Sequence, residues 1–459
     1  MSLWKLAGAF GGAAAVASLT VAAITPDIAQ AKAEIQSDNG EDTLKLVQVV
    51  FRHGARTPLS KNYWPELVDQ WDVCGQLFDP VPINVIEESG AARPVNSHDA
   101  QQVATKLPGG CSKGELTREG QRQARVFGRW LRQRYVSSLN FLPEEYLDGI
   151  LYCRTTNYSR TVATLQGVLT GLFPDTKKPI LARTTEEMDE ILFGNAASCN
   201  RLKDIIKNTA SVEKEAILPD EILTLQIRVQ EALGLPPTAA IKFLDLHDTM
   251  TTMLTHNKPI PEGLRDAQLL KQIEDQATAR FMKFIVGDIA SPRGENSSRG
   301  KNENKEKPSE ILRLGMGRLM HFIVKRMEET AKEIHKEEKE APKFYLLSGH
   351  DSTILPLLAA LGVEIDHWPQ YLSNLVFELW ERPNGEHYVQ VLYNKEPLNM
   401  NKICGGKACS LKSLQHQVLG PYLLSHRERE TECLVHFSHD EPAGKHVKEV
   451  EIGSAMSED

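Results

Sequence analysis

Leu46-Val-Gln-Val-Val-Phe51 followed by Arg52-His53-Gly54-Ala55-Arg56-Thr57-Pro58 is the stretch on which the reading of this 459-residue chain turns. An apolar run of strand length, with no polar alternation, predicts a strand buried on both faces, as in a parallel sheet sandwiched by helices. The charged cluster starts where the run stops. In open α/β sheets that is the carboxyl edge, where ligands bind. Arg52 and Arg56 supply rigid guanidinium forks that match phosphate oxygens, and His53 is a nitrogen nucleophile usable near neutral pH. Gly54 allows either a close approach of backbone to ligand or a positive φ.

Two later stretches repeat the pattern. Ile150-Leu151-Tyr152-Cys153 runs into Arg154-Thr155-Thr156-Asn157, with Arg160 close behind and a helix over 161–172. Arg154 is thereby aimed at the same crevice as Arg52, while Arg160 is divided between that crevice and a structural ion pair. Lys343-Phe344-Tyr345-Leu346-Leu347-Ser348 ends in Gly349-His350-Asp351, ahead of a helix over 354–361. Asp351 is the carboxylate of that edge; an N-cap is its bland role and a proton donor its chemical one.

Together these residues suit phosphoryl transfer. The reaction needs cations on the equatorial oxygens, an in-line nucleophile and a proton for the leaving alkoxide. Arg52, Arg56, Arg154 and His350 serve the first need, His53 the second and Asp351 the third. No metal or other cofactor is required, because the arginines do the work of a cation. A net charge of −8 supplies no cationic surplus for a nucleic acid, so the expected partner is a small anionic ester.

Around these edges the chain reads as follows. The stretch 60–114 is polar and weakly periodic, a long loop roofing the site, in which His98 and Asp99 read as a solvated pair. Thr117 caps an amphipathic helix with Ala124, Phe127, Leu131 and Tyr135 on one face. Residues 173–288 read as a helical subdomain; there Leu246-His247-Asp248 is taken as structural, and His256 is weighed as a residue that could reach substrate. Residues 287–309 read as a flexible polar loop and 310–336 as an amphipathic helix. Two strands, 375–380 and 388–393, flank Asn384-Gly385, a hairpin signal. The expected architecture is a mixed, mainly parallel central sheet flanked by helices, with a core of 44–172 and 308–425, a helical cap of 173–288, and a disordered tail over 440–459.

In residues 1–31, Lys5 is followed by an Ala- and Gly-rich run from Leu6 to Ile24 without a charge and then by Ala29-Gln30-Ala31, and the segment is read as a signal peptide or, alternatively, a membrane signal-anchor. The expected location is the secretory pathway, lumenal, extracellular or membrane-anchored, with mitochondria as the alternative. Asn157 and Asn296 are glycosylation sequons. Of seven cysteines one must be left unpaired in an oxidising compartment, and the Gly-rich loop between Cys404 and Cys409 suits a small disulfide.

The segments 52–58, Arg154-Thr155-Thr156 and His350-Asp351 resemble the histidine acid phosphatase family of the histidine phosphatase superfamily, in order and spacing, from about residue 44 onward. The resemblance implies a phosphoglycerate mutase-like fold, a covalent phosphohistidine on His53, Asp351 as proton donor, and Arg52, Arg56, Arg154 and His350 as phosphate ligands. Gly114-Glu-Leu-Thr-Arg-Glu-Gly120, Trp368-Pro-Gln-Tyr and Cys404-Gly-Gly-Lys-Ala-Cys409 resemble the lysophosphatidic acid phosphatase branch. That similarity implies a lysophospholipid-like monophosphate as substrate, with broad acid phosphatase or phytase activity as the alternative, and pairing of Cys199 with Cys433 and of Cys404 with Cys409. A catalytically silent binding protein on the same fold is the rival from another class.

Overall fold

In a computed structural model the described residues are 41–60, 63–64, 70–215, 218–287, 309–333, 341–400 and 404–434. The expectations for the N-terminal 1–31, for the polar loop after Gly287 and for the 440–459 tail lie outside them.

Strand β1 (Thr43–Arg52) is the middle of the molecule, and its burial explains its composition. Val47, Val49 and Phe51 face one apolar layer, with α2 (Arg118–Leu131) and α3 (Ser159–Leu172). Leu46 and Val50 face the other, with α8 (Glu310–Glu333) and α9 (Asp351–Ala360). Gln48, the polar member of the run, is buried too, and its amide donates to the Ile323 carbonyl of α8 at 2.9 Å. A strand covered on both sides has no solvent face, so its sequence does not alternate.

The sheet order is β2-β4-β3-β5-β1-β6-β7-β8, with β8 being Glu396–Pro397 and β9 (Ala408–Ser410) also on β7. β2 (Ile83–Glu87), β4 (Ile180–Thr184), β3 (Leu151–Thr155), β5 (Phe344–Gly349) and β1 run parallel, each to its neighbour. β6 (Asn374–Glu381) and β7 (His387–Tyr393) close the other side as an antiparallel hairpin whose turn contains Gly385 at φ +82°. The mixed, mainly parallel α/β architecture is therefore the one expected.

Two boundaries move. Residues 180–184, assigned above to the cap, are β4 of the sheet, and the stretch 60–114, read as a loop with short elements, contributes the edge strand β2 and helix α1 (Ser97–Ala104). Beyond β4, the helices α4 (Asn200–Glu215), α5 (Asp220–Ala232), α6 (Phe243–Thr255) and α7 (Ala267–Ile285) follow. α5, α6 and α7 share an apolar cluster of their own, including Leu225, Val229, Leu246, Met250, Leu269 and Ile273, into which Trp71 also packs.

Three disulfides join Cys74 to Cys111, Cys199 to Cys433 and Cys404 to Cys409, leaving Cys153 free and buried in the sheet. The last two are the pairs that the resemblance implied. Cys199–Cys433 fastens α10 (His426–Leu434) to the start of α4. Disulfides accord with a secreted or lumenal protein. Among the described residues no helix is long and apolar enough to cross a membrane.

Candidate active site

Register decides which side chains meet. Arg52 of β1 lies level with Gly349 of β5, so His53 and His350, one residue further on, emerge side by side at the carboxyl edge. Their ring centroids are 5.5 Å apart. Gly54 then lies against α2, not against a ligand: a Cβ there would sit 2.6 Å from the Gly120 carbonyl oxygen, and one on Gly120 only 2.1 Å from the Ala55 carbonyl oxygen. The paired glycines let the strand end and the helix N-terminus touch backbone to backbone, which fixes the loop that carries His53.

His53 is buried, and its Nδ1 lies 2.9 Å from the Gly54 carbonyl oxygen. A carbonyl can only accept, so Nδ1 carries the proton and Nε2 keeps its lone pair. Burial, followed by the charges of Arg160, Arg52 and Arg56 and by His350, holds the His53 pKa well below the usual histidine value. The ring is thus neutral, with a free lone pair on Nε2, among cations. His350 is depressed for the same reasons, burial first and Arg160 second, with Asp351 opposing. Its Nε2 lies 3.0 Å from Thr156 Oγ1.

Both arginines of the β1 edge are ion-paired. Arg52 holds Asp351 (Nη2–Oδ2 2.9 Å), donates through Nη1 to the Pro369 carbonyl, and lies 4.6 Å from the centre of the Tyr371 ring. Arg56 holds Asp248 of α6 (Nη2–Oδ1 2.6 Å) and donates to the Thr57 carbonyl at 3.1 Å. The carboxylate of Leu246-His247-Asp248, a string read above as structural, reaches from the cap to Arg56 at the β1 edge, and Arg56 keeps the Asp248 pKa below its usual value against the cost of burial. Asp351, partly exposed, is likewise lowered by Arg52, His350 and Arg56 although burial pushes the other way.

Arg154 stands apart from this group. It is level with Leu347 of β5, and so is Val50 of β1, which puts it two residues below the edge where Arg52 and Gly349 sit. Its guanidinium runs under the sheet edge to Glu190 (3.3 Å), Thr185 (3.3 Å) and Glu88 (3.5 Å). Arg160, left undecided by the sequence, is the third arginine of the site. It is buried in the first turn of α3, it is the leading charged neighbour of both histidines, and burial plus Arg56 push its pKa down to about 10. Its Nη1 donates to Gln102 Oε1 at 3.0 Å, and its guanidinium carbon lies 4.5 Å from the centre of the Tyr158 ring. Among the described residues no carboxylate lies within ion-pair distance of it.

The stretch 60–114 positions this arginine. Asp99 is buried rather than solvated, and accepts from the Ser159 amide (3.0 Å) and hydroxyl (2.6 Å), capping the helix that carries Arg160. His98, exposed, contacts the Tyr158 hydroxyl at 3.2 Å. His256 is committed to Thr117 (2.8 Å) and to the Thr252 carbonyl (2.7 Å), at the cap–core contact. The Asn157 side chain is engaged with Arg93 and the Pro94 carbonyl.

Partly exposed aromatic rings complete the site. Tyr158 and Phe193 lie 5.3 and 6.0 Å from the His350 ring, and Tyr371 5.9 Å from the His53 ring. Trp368 donates from Nε1 to Asp351 Oδ2 at 3.2 Å and its ring lies tilted against Phe281, with centroids 4.9 Å apart. A buried cationic floor is bordered by apolar rings.

Residues 43–394 match the family model for the histidine phosphatase superfamily (branch 2). The chain is 28% identical over 417 residues to the lysophosphatidic acid phosphatase type 6 of Pongo abelii, covering 88% of this chain and 90% of that one. It is 29% identical over 364 residues to a probable acid phosphatase of Schizosaccharomyces pombe, covering 74% and 72% of the two. Among solved structures, the multiple inositol polyphosphate phosphatase of Bifidobacterium longum in complex with inositol hexasulfate superposes with a TM-score of 0.55 at 12% identity, covering 88% of this chain and 97% of that one, which speaks to the fold alone.

Proposed function

This chain belongs to the histidine phosphatase superfamily (branch 2) and is a phosphatase, and from that premise we propose that it hydrolyses an amphipathic phosphomonoester, lysophosphatidic acid or a similar lipid monophosphate, through a phosphohistidine on His53. Nε2 of His53 attacks phosphorus and the bond to the ester oxygen breaks. Arg52, Arg56 and Arg160, with His350, hold the equatorial oxygens, where charge is greatest. Asp351 gives its proton to the departing alkoxide. Water then attacks the phosphohistidine, Asp351 takes the proton of that water, and orthophosphate and the alcohol leave. In the resting site Asp351 is held ionised by Arg52. A bound phosphate competes for Arg52 and adds negative charge, and both effects raise the carboxyl toward the protonated form that the acid step requires. The nucleophile needs no such help, because burial and the arginines keep His53 neutral into the acid range.

The observation that carries the lipid reading is the border of the site. Tyr158, Phe193, Phe281, Trp368 and Tyr371 are each only partly buried and stand around a floor of buried arginines. An ester with one charged end and one apolar end matches that division, since the rings gain by covering an acyl chain. The similarity to lysophosphatidic acid phosphatases points the same way. The test is a panel of lysophosphatidates of rising acyl length, with glycerol 3-phosphate as the chainless control and phytate as the many-phosphate competitor. The expected result is a kcat/KM that climbs with chain length and exceeds that for phytate. A flat series, or phytate as the preferred ester, sinks the lipid assignment while leaving the phosphatase in place.

We also assign the chain to the secretory route, on its disulfides and its N-terminal sequence. Of the two sequons, the engaged side chain of Asn157 leaves Asn296 as the site for a glycan. Loss of an endoglycosidase-sensitive mass in Asn296→Gln checks both statements.

A further inference from the structure

The segment from Trp368 to Ser373 touches Asp351, Arg52 and His53. Trp368 Nε1 donates to Asp351 Oδ2, and the Pro369 carbonyl accepts from Arg52. The Tyr371 ring covers the Arg52 guanidinium. The Leu372 amide donates to the His53 carbonyl at 3.2 Å, and the Ser373 carbonyl accepts from the Arg52 amide at 2.9 Å. Leu372 holds φ at +61°, a left-handed conformation that costs a non-glycine residue on the order of 1 kcal/mol. Such strain persists only where surrounding contacts impose it. Here the β1 end holds Leu372 itself and the cap holds the residues before it. Glu274 of α7 accepts from the Trp368 amide at 2.8 Å, and Thr252 of α6 meets the Tyr371 hydroxyl at 3.2 Å. The indole is held between His247 of α6 (5.0 Å) and Phe281 of α7 (4.9 Å).

We propose that Trp368 is a positioning residue for the proton donor: braced by Glu274, Phe281 and His247 of the cap, its Nε1–H fixes Asp351 Oδ2 at the leaving-group side of the site. The inference rests on Asp351 acting as the acid of the preceding section. Arg52 and Trp368 share the same oxygen, Oδ2. Once a phosphate draws Arg52 away, Trp368 is the side chain that still holds Oδ2, while Oδ1 accepts from the Ser352 amide at 2.8 Å, and the two donors together keep the carboxyl from rotating as it takes up and delivers its proton. The charged and titratable groups acting on that carboxyl are Arg52 and Arg56 at the β1 edge, Arg160 of α3, His350 at the start of α9 and His247 of α6. Nε1–H favours the ionised carboxylate, so its removal raises the pKa of the acid.

The experiment compares an aryl ester, p-nitrophenyl phosphate, whose leaving group departs without a proton, with an alkyl ester, glycerol 3-phosphate, whose leaving group does not. In Trp368→Phe the ring stays and the donor goes. The expected result is a loss in kcat of about tenfold or more on the alkyl ester, within the range of an acid–base contribution, with the aryl ester changed by less than about threefold, and a basic limb of the alkyl-ester kcat profile displaced to higher pH. Glu274→Leu, which removes only the brace, reproduces the pattern more weakly, and Glu274→Gln, which restores an acceptor, recovers it. Equal losses on both esters with an unmoved limb, or no loss on either, overturn the proposal. Asp351→Asn is measured alongside. If it too fails to discriminate between the esters, the acid assignment itself is lost; if it discriminates and Trp368→Phe does not, only the role of Trp368 is lost.

Discussion

Two buried charge clusters lie on the same sheet and have opposite designs. On β6, Glu378 is fully buried and accepts from Arg134 through Nε (2.6 Å) and Nη2 (2.9 Å), from the Tyr135 hydroxyl (2.6 Å) and from Trp380 Nε1 (3.2 Å). One carboxylate meets one guanidinium, and every lone pair has a donor. At the carboxyl edge of β1, three guanidinium groups face two carboxylates, and Arg160 has a neutral amide as its nearest acceptor. Burial without full neutralisation is costly, and a phosphate relieves it. The first cluster is closed and structural. The second is left one negative charge short, which is what an anion site needs.

The contrast fails first, and most visibly, at His53. His53→Ala should abolish turnover, a loss of about 10⁴-fold or more for removal of a covalent nucleophile, by comparison with catalytic groups that act as a unit. Tm should stay within a few degrees, because the ring is already destabilised by its cationic surroundings. Steady-state rates and a thermal melt check both halves. Retained turnover would move the nucleophile elsewhere.

Glu378→Gln breaks the other cluster and should show the reverse. It leaves the partly exposed Arg134 and the buried Tyr135 hydroxyl beside a neutral amide and should cost about 1–3 kcal/mol of stability, the penalty for removing a charged acceptor from its donors. The kcat of the folded fraction should be preserved. Chemical denaturation gives the first quantity and active-site-normalised rates the second. A fall in kcat with unchanged stability would mean that the two clusters are not independent.

Arg154 and Arg160 show how far the sequence could be read. The three strands were legible, because runs such as 46–51 and 343–348 have only one way to be buried, and those two end side by side at His53 and His350. The sequence reading closed β3 at Cys153, however, and the strand continues to Thr155. Those two residues lower Arg154 from the edge to a place beneath it, opposite Glu190, while Arg160 on the following helix is the charge that acts most on both histidines. A finer weighing of Thr155 as a strand former could have found the shift. Nothing local could have found Asp248, which reaches Arg56 across 192 residues through the docking of the cap. Arg160→Met should therefore reduce kcat/KM by about 10²–10³-fold, as loss of one donor on the transferring group does. Arg154→Met should act mainly on stability, by freeing buried Glu190. Equal kinetic losses would return Arg154 to the phosphate.

The smallest effect concerns pH, and it follows from the sign of the histidine shifts. His53 and His350 have folded pKa values well below the ordinary one. Below about pH 6.5 the unfolded chain takes protons that the folded site refuses, so stability declines on acidification by about 1.4 kcal/mol per pH unit for each histidine. The decline continues until the folded pKa values are reached. Inorganic phosphate opposes it, because a bound anion raises both histidines, and its increment in Tm should grow from pH 7 to pH 5. The Glu378 cluster offers no phosphate site, so Glu378→Gln should keep this increment while Arg160→Met loses most of it. The same substitution removes the leading charge that depresses His53. The acid limb of kcat/KM should then move upward in pH, making Arg160→Met more damaging at pH 5 than at pH 7. An acid limb that stays where it is in Arg160→Met would show that burial alone sets the His53 pKa, and that the missing negative charge at the β1 edge matters for binding the ester but not for keeping its nucleophile neutral.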